Sequence, residues 1–217
     1  TTSTLNRVMV VELALPALLP GVLLALHYVV QISRPRMGHG SDRTRHRTPW
    51  ILGGMSVLAA GGFAAALATA WMATAPVAGT VLAAAAFVLI GLGVAAAGTS
   101  LLALLASRVP QQRRAAAATT VWTMMIAGFV VTAGTAGAFL DPYTPQRLVA
   151  VAGVVALLAL AVTVAALWGV EGATDATADI AQPAEGGFRA ALREVWRETD
   201  ARRFTIFVFV AMLAFSA

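Results

Sequence analysis

Not one charged side chain interrupts the run from Val77 to Ser107. As a helix it would rise about 47 Å, against a bilayer hydrocarbon core of roughly 30 Å, so it is long enough to tilt or to protrude. A soluble fold has no place for such a segment. Four more apolar runs of spanning length can be marked, at about Val8–Ile32, Ile51–Thr74, Ala116–Leu140 and Leu148–Trp168. The composition agrees: 59% of residues are hydrophobic and 12% charged, with a mean hydropathy of +0.80. Soluble domains carry roughly 25% charged residues. The expectation is an all-α, polytopic membrane helix bundle with five complete spans.

Charge placement orients the spans. All fifteen basic side chains, histidines aside, are arginines. Thirteen fall on alternate connections: Arg34, Arg36, Arg43, Arg45 and Arg47; Arg108, Arg113 and Arg114; Arg189, Arg193, Arg197, Arg202 and Arg203. The positive-inside rule puts segments 33–50, 107–114 and 169–203 in the cytoplasm. Clustering at the ends of apolar runs points the charge at lipid headgroups and away from nucleic acid. No cysteine is present, which removes disulfides and thiolate chemistry. No nucleophile–base pair, metal cluster or phosphate loop stands out, so the chain does not read as an enzyme.

The segments divide as a bundle over 1–168, a cytoplasmic linker over 169–203 and the start of a further bundle over 204–217. The last run, Phe204–Ala217, stops after 14 residues where a span needs about 20. With a start on the outer side and no signal peptide, the chain reads as a fragment lacking one earlier helix. Pro16, Pro20 and Gly21 should kink the first span. Gly91–Gly98, Gly128, Gly134 and Gly137 read as small faces for close helix packing. In the linker, "GATDATADIAQPAEGG" is acidic and small. It is followed by a helix with Phe188, Leu192, Val195 and Trp196 on one face and Arg189, Arg193 and Arg197 on another, suited to the membrane surface.

Between the first two runs lies "GHGSDRTRHR", with Gly38, Asp42, Arg43, Arg45 and Arg47 at the spacing of the loop signature of the major facilitator superfamily. Glycine lets two helix ends approach, and a carboxylate among guanidiniums can exchange partners between two packing states. Charge-assisted bonds of that kind are worth roughly 1.5–3 kcal/mol each. Arg113 and Arg114 stand at a helix mouth on the same side, where a salt link to Asp42 competes with plain lipid anchoring. The bland reading of the whole cluster is a positive-inside loop.

Longer blocks, "TLNRVMVVELALPALLPG", "HYVVQISRPRMGHGSDRTRHRTPWILGG", "GTSLLALLASRVPQQRRAAAATTVWTMMIAG", "LDPYTPQRLVAV" and "ARRFTIFVFVAMLAFSA", resemble the PucC/LhaA family, the bacteriochlorophyll-delivery branch of that superfamily. The resemblance implies a major facilitator fold, with this chain as helices two to six and the start of seven. It implies a conformational latch in the charged segment and a multi-pass place in the bacterial photosynthetic membrane. It also implies help in assembling photosynthetic complexes by delivering or chaperoning bacteriochlorophyll a, with light-harvesting polypeptides, a reaction centre or a pigment-synthesis enzyme as partners, and lipids around it. His27, Tyr28 and Gln31 depart from the common family pattern and mark a sub-branch. "GFVVTAGTAGAF" lacks the Gly-Pro pair of proton-driven exporters.

Within that frame some side chains become candidates. His27, with Gln31 one turn on, suits axial ligation of a chlorin magnesium; the alternative is a hydrogen bond to a neighbouring helix. Trp122, Met124 and Met125 offer a flat, polarizable surface, for a pigment ring or simply for packing. Glu12 reads first as a clasp with Asn6 and Arg7, and second as a proton carrier. On a continuous helix Glu12 and His27 would stand about 22 Å apart, too far to share one site. Two rival functions stay open: an alternating-access transporter, and a scaffold that handles no pigment.

Overall fold

The structure, a computed structural model, describes residues 2–44, 46–171 and 188–216. It is an all-α polytopic membrane bundle, and among the described residues four helices are long and apolar enough to cross a bilayer. Contacts divide the chain into two units, residues 1–177 and 178–217.

In the first unit α1 (Thr2–Arg7) runs into a π-helical turn (Val8–Glu12). After a break come α2 (Leu18–Val30), a 3₁₀ turn (Gln31–Ser33) and α3 (Arg34–Arg43). The long helices are α4 (Thr48–Met72), α5 (Pro76–Arg108), α6 (Arg114–Phe139) and α7 (Pro145–Leu167). In the second unit, α8 (Phe188–Arg197) is the expected amphipathic helix, and α9 (Thr199–Ser216) begins five residues ahead of the expected run. The acidic stretch 172–187 and the Val195 side chain lie outside the described residues.

The expected first span is corrected. It is not one continuous helix but two pieces, so four unbroken helices of spanning length stand among the described residues where five were expected. Pro16 supplies no N–H and pushes Leu15 towards extended backbone, which ends the helical ladder. Ala14 turns the chain at φ 49°, in the left-handed region. The π turn closes by bonds from Leu13 N–H to Val8 O (3.0 Å) and Leu15 N–H to Met9 O (2.9 Å). Pro20, by contrast, sits in the first turn of α2, where a missing N–H costs nothing.

The α4–α5 hairpin is the centre of the unit. Lipid tails are as apolar as leucine, so helices in a membrane associate through close packing of small residues. A Cβ on Gly54 would lie 2.5 Å from Ala97 N, and one on Gly93 would lie 2.6 Å from Leu58 N. Only glycine lets these backbones approach so closely. Ala65, Ala66, Ala68, Ala83 and Ala86 are buried alongside, and Leu5, Val8 and Met9 of the first segment join the same core. α7 lies along α4, and α2 and α3 lie along α5.

Helix α6 stands at the edge, almost entirely exposed, with Ala136 as its one buried residue. The glycine expectation therefore holds in part. Gly91 abuts the His27 carbonyl, whereas a Cβ on Gly98, Gly128, Gly134 or Gly137 would meet nothing within 4 Å.

Candidate functional site

Three features concentrate the chemistry of the first unit. One end carries a charged junction and an apolar groove, and the other carries a polar cleft.

The junction is built on Arg47, which precedes α4. Its guanidinium donates to Asp42 Oδ1 (2.9 Å), to the Ala103 carbonyl (2.9 Å) and to Ser107 Oγ (2.7 Å). It thereby fastens the end of α3 to the end of α5. The 33 residues of α5 span about 50 Å, longer than the hydrocarbon, so its last turns reach Arg47 at the membrane surface.

Two backbone donors at the start of α4 turn to Glu171. Arg47 N–H reaches its carboxylate at 2.9 and 3.1 Å, and Thr48 N–H at 2.9 Å. This is a helix N-cap supplied from 123 residues away. Gly169, at φ +72°, ends α7 in the left-handed conformation and turns Glu171 back towards α4. Burial opposes ionisation of Glu171, but the Thr48 and Arg47 amides outweigh it and hold the carboxyl below its ordinary range.

The segment expected as a loop is therefore largely helix, through Arg43. Gly38 and Gly40 do not make a turn; they let α3 lie close. A Cβ on Gly38 would be 3.0 Å from Thr99 Cγ2, and one on Gly40 would be 2.7 Å from the Trp50 ring. Asp42 pairs with Arg47, whereas Arg114 Nε donates to the Val109 carbonyl (3.2 Å) and Arg113 is exposed. Arg43 is exposed on the last turn of α3, and Arg45 lies outside the described residues.

Beside the junction is a groove of about 510 Å³ between α3, α4 and α5, lined by Met37, Pro49, Trp50, Gly53, Val57 and Leu92 among others. That volume falls within the roughly 300–1,000 Å³ of small-molecule pockets. Gly53 keeps its wall smooth, since a Cβ there would meet nothing within 4 Å.

His27 is buried at 8% exposure. Its Nε2 lies 2.6 Å from Gln31 Nε2, its ring meets Tyr28 edge-on, and its Nδ1 is buried without a partner. Trp122 and Met125 stand on the open surface of α6, 61% and 37% exposed. His27, Gln31, Trp122 and Met125 line neither the groove nor the polar cleft.

The polar cleft, about 230 Å³, joins α1 and the π turn to the end of α6. Thr4, Arg7, Val8, Glu12, Gly137, Leu140, Asp141 and Tyr143 are among its lining residues. Arg7 and Glu12 thus share a cleft, but among the described residues no ion pair within 4.0 Å joins them. Asn6 is exposed and does not line it. Sequence reasoning passed over Glu171, Trp50, Asp141 and Tyr143. The one signal for Glu171 was an acid two residues past a helix-ending glycine.

Comparison with known proteins decides the family. The family model described as "PUCC protein" matches residues 4–217. The chain belongs to the PucC family. A relative from Rhodobacter capsulatus, "Bacteriochlorophyll synthase 44.5 kDa chain", is 52% identical over 99% of this chain and 50% of its own length. "Protein PucC" of the same organism is 35% identical over 76% of this chain and 38% of its own. "Protein PucC" of Rhodovulum sulfidophilum is 30% identical over 98% and 50%. The chain therefore spans about half the length of these relatives at most. No solved structure matches it.

Proposed function

We propose that this PucC-family chain is part of a membrane assembly factor that delivers or chaperones bacteriochlorophyll while photosynthetic complexes are built. The observation that carries the reading is the 52% identity, across nearly the whole chain, to a protein named as a bacteriochlorophyll synthase chain, together with the PucC matches. In this reading the protein is a carrier and not a catalyst. It sits in the bacterial photosynthetic membrane with its arginine-rich end in the cytoplasm, in a major facilitator arrangement. Its partners are light-harvesting polypeptides, a reaction centre or a pigment-synthesis enzyme.

The apolar groove supports the reading physically. Trp50 offers a flat, polarizable face and Gly53 a wall without side chains, which suits a planar macrocycle. Axial ligation through His27 Nε2 requires Gln31 to swing off that nitrogen, so by that route His27 and Gln31 would serve a second, gated position. Trp122 and Met125 give α6 a surface for pigment or for a partner helix. The Arg47–Asp42 junction then acts as the latch of one conformational state.

The test is an absorption spectrum of the gently purified full-length protein, wild type beside His27→Ala and Trp50→Ala. A bacteriochlorophyll band lost or shifted in Trp50→Ala supports the groove, and one lost in His27→Ala supports ligation. A wild-type protein without any band overturns pigment handling and favours a scaffold.

A further inference from the structure

The polar cleft at the other end of the bundle has no part in that reading. Its lining is chemically mixed in an unusual way for a membrane helix end. Arg7 contributes a guanidinium, Glu12 and Asp141 contribute carboxylates, and Thr4 and Tyr143 contribute hydroxyls, above an apolar floor of Val8, Ala133 and Leu140. Arg7, Glu12 and Asp141 are exposed at the cleft, so each is open to a ligand from outside. Arg7, Glu12 and Asp141 make no ion pair with one another among the described residues. Tyr143 lines the cleft, and its hydroxyl is buried with no hydrogen-bond partner among the described residues. A buried hydroxyl left unpaired is unfavourable, so a missing partner is expected.

The cleft's volume, about 230 Å³, is below the usual range for drug-sized ligands, roughly 300–1,000 Å³, and excludes a tetrapyrrole. A small group with both charges fits it. A phosphate would take the Arg7 guanidinium and the Tyr143 hydroxyl, since guanidinium–phosphate contacts are among the strongest charge-assisted hydrogen bonds. An ammonium would lie against Glu12 and Asp141. The apolar floor continues into the exposed α6 surface, where acyl chains would lie. We infer that Arg7, Glu12, Asp141 and Tyr143 form a binding site for a phosphate-plus-primary-amine headgroup, that of an aminophospholipid, at the membrane face opposite the arginine cluster.

Tyr143→Phe is the variant of choice. Its hydroxyl has no hydrogen-bond partner among the described residues, so removing it leaves the fold intact. The full-length protein, delipidated in detergent, is titrated with phosphatidylethanolamine, phosphatidylglycerol and soluble phosphoethanolamine, with melting temperature and native mass spectrometry as readouts. Phosphatidylethanolamine should bind the wild type more tightly than phosphatidylglycerol, which lacks the amine. Tyr143→Phe and Arg7→Gln should each weaken it roughly tenfold. Glu12→Gln should erase the preference over phosphatidylglycerol. Binding of soluble phosphoethanolamine would show that the headgroup suffices; binding of the lipid alone would show that acyl contacts contribute, and both support the site. Equal binding of the two lipids to the wild type, or binding unchanged in both Tyr143→Phe and Arg7→Gln, would overturn it.

Discussion

Gly53 and Gly54 are neighbours in sequence and opposites in the bundle, so the same substitution should have opposite signs at the two positions. A methyl on Gly53 enters open space, and replacing a helical glycine by alanine gains up to about 1 kcal/mol of helix propensity. A methyl on Gly54 would sit 2.5 Å from Ala97 N and 2.9 Å from its Cβ. The obstacle is backbone, which cannot rotate aside. Forcing α4 and α5 apart should cost about 2–3 kcal/mol, the upper part of the overpacking range. Subtracting the propensity gain leaves Gly54→Ala destabilised by about 1–2 kcal/mol. For a protein of this size 1 kcal/mol corresponds to roughly 2–4 °C, so Gly54→Ala should melt about 2–8 °C lower. Gly53→Ala should melt at or slightly above wild type. Circular dichroism in mild detergent reads the helical signal directly. Equal losses in the two variants, or none in Gly54→Ala, would refute the packing that glycine permits here.

Two further predictions concern the chain's other special positions. Glu171→Gln should destabilise the unit by about 1 kcal/mol near neutral pH, a typical cap contribution. Because the folded carboxyl is held below its ordinary value of 4.5, its contribution is complete above that pH and lost as pH falls through the lowered value. The gap between wild type and Glu171→Gln should therefore close in acid; a gap that widens would contradict the cap. Ala14→Val should cost about 1–2 kcal/mol, since a β-branched side chain resists the left-handed backbone at φ 49°, while Ala14→Gly should cost nothing. Melting temperatures of the pair decide it.

The long spans were legible because length and apolarity suffice to mark them. α4, α5, α6 and α7 begin and end within three residues of the expected limits, and charges or prolines mark their edges. The first span was not legible as two pieces: Pro16 signalled a kink, but the π turn and the left-handed Ala14 depend on Leu5, Val8 and Met9 docking in the core. The helix over Arg34–Arg43 defied its polar composition because Gly38 and Gly40 dock it against Thr99 and Trp50. Likewise, arginine density flagged the junction, but Glu171 enters from far along the chain and leaves no local pattern. Glycine alone does not reveal which face meets a neighbour, hence the open glycines of α6.

Pigment handling in the Trp50 groove is tested most directly by filling it. Gly53→Leu would place a side chain in the groove from a position whose Cβ meets nothing within 4 Å, and Gly128→Leu adds the same group on α6 at a position equally open. The absorption of bacteriochlorophyll co-purified with the full-length protein is then compared among wild type, Gly53→Leu and Gly128→Leu. A band lost in Gly53→Leu and retained in Gly128→Leu is the expected result. A band equally strong in all three would contradict the groove as the pigment's place.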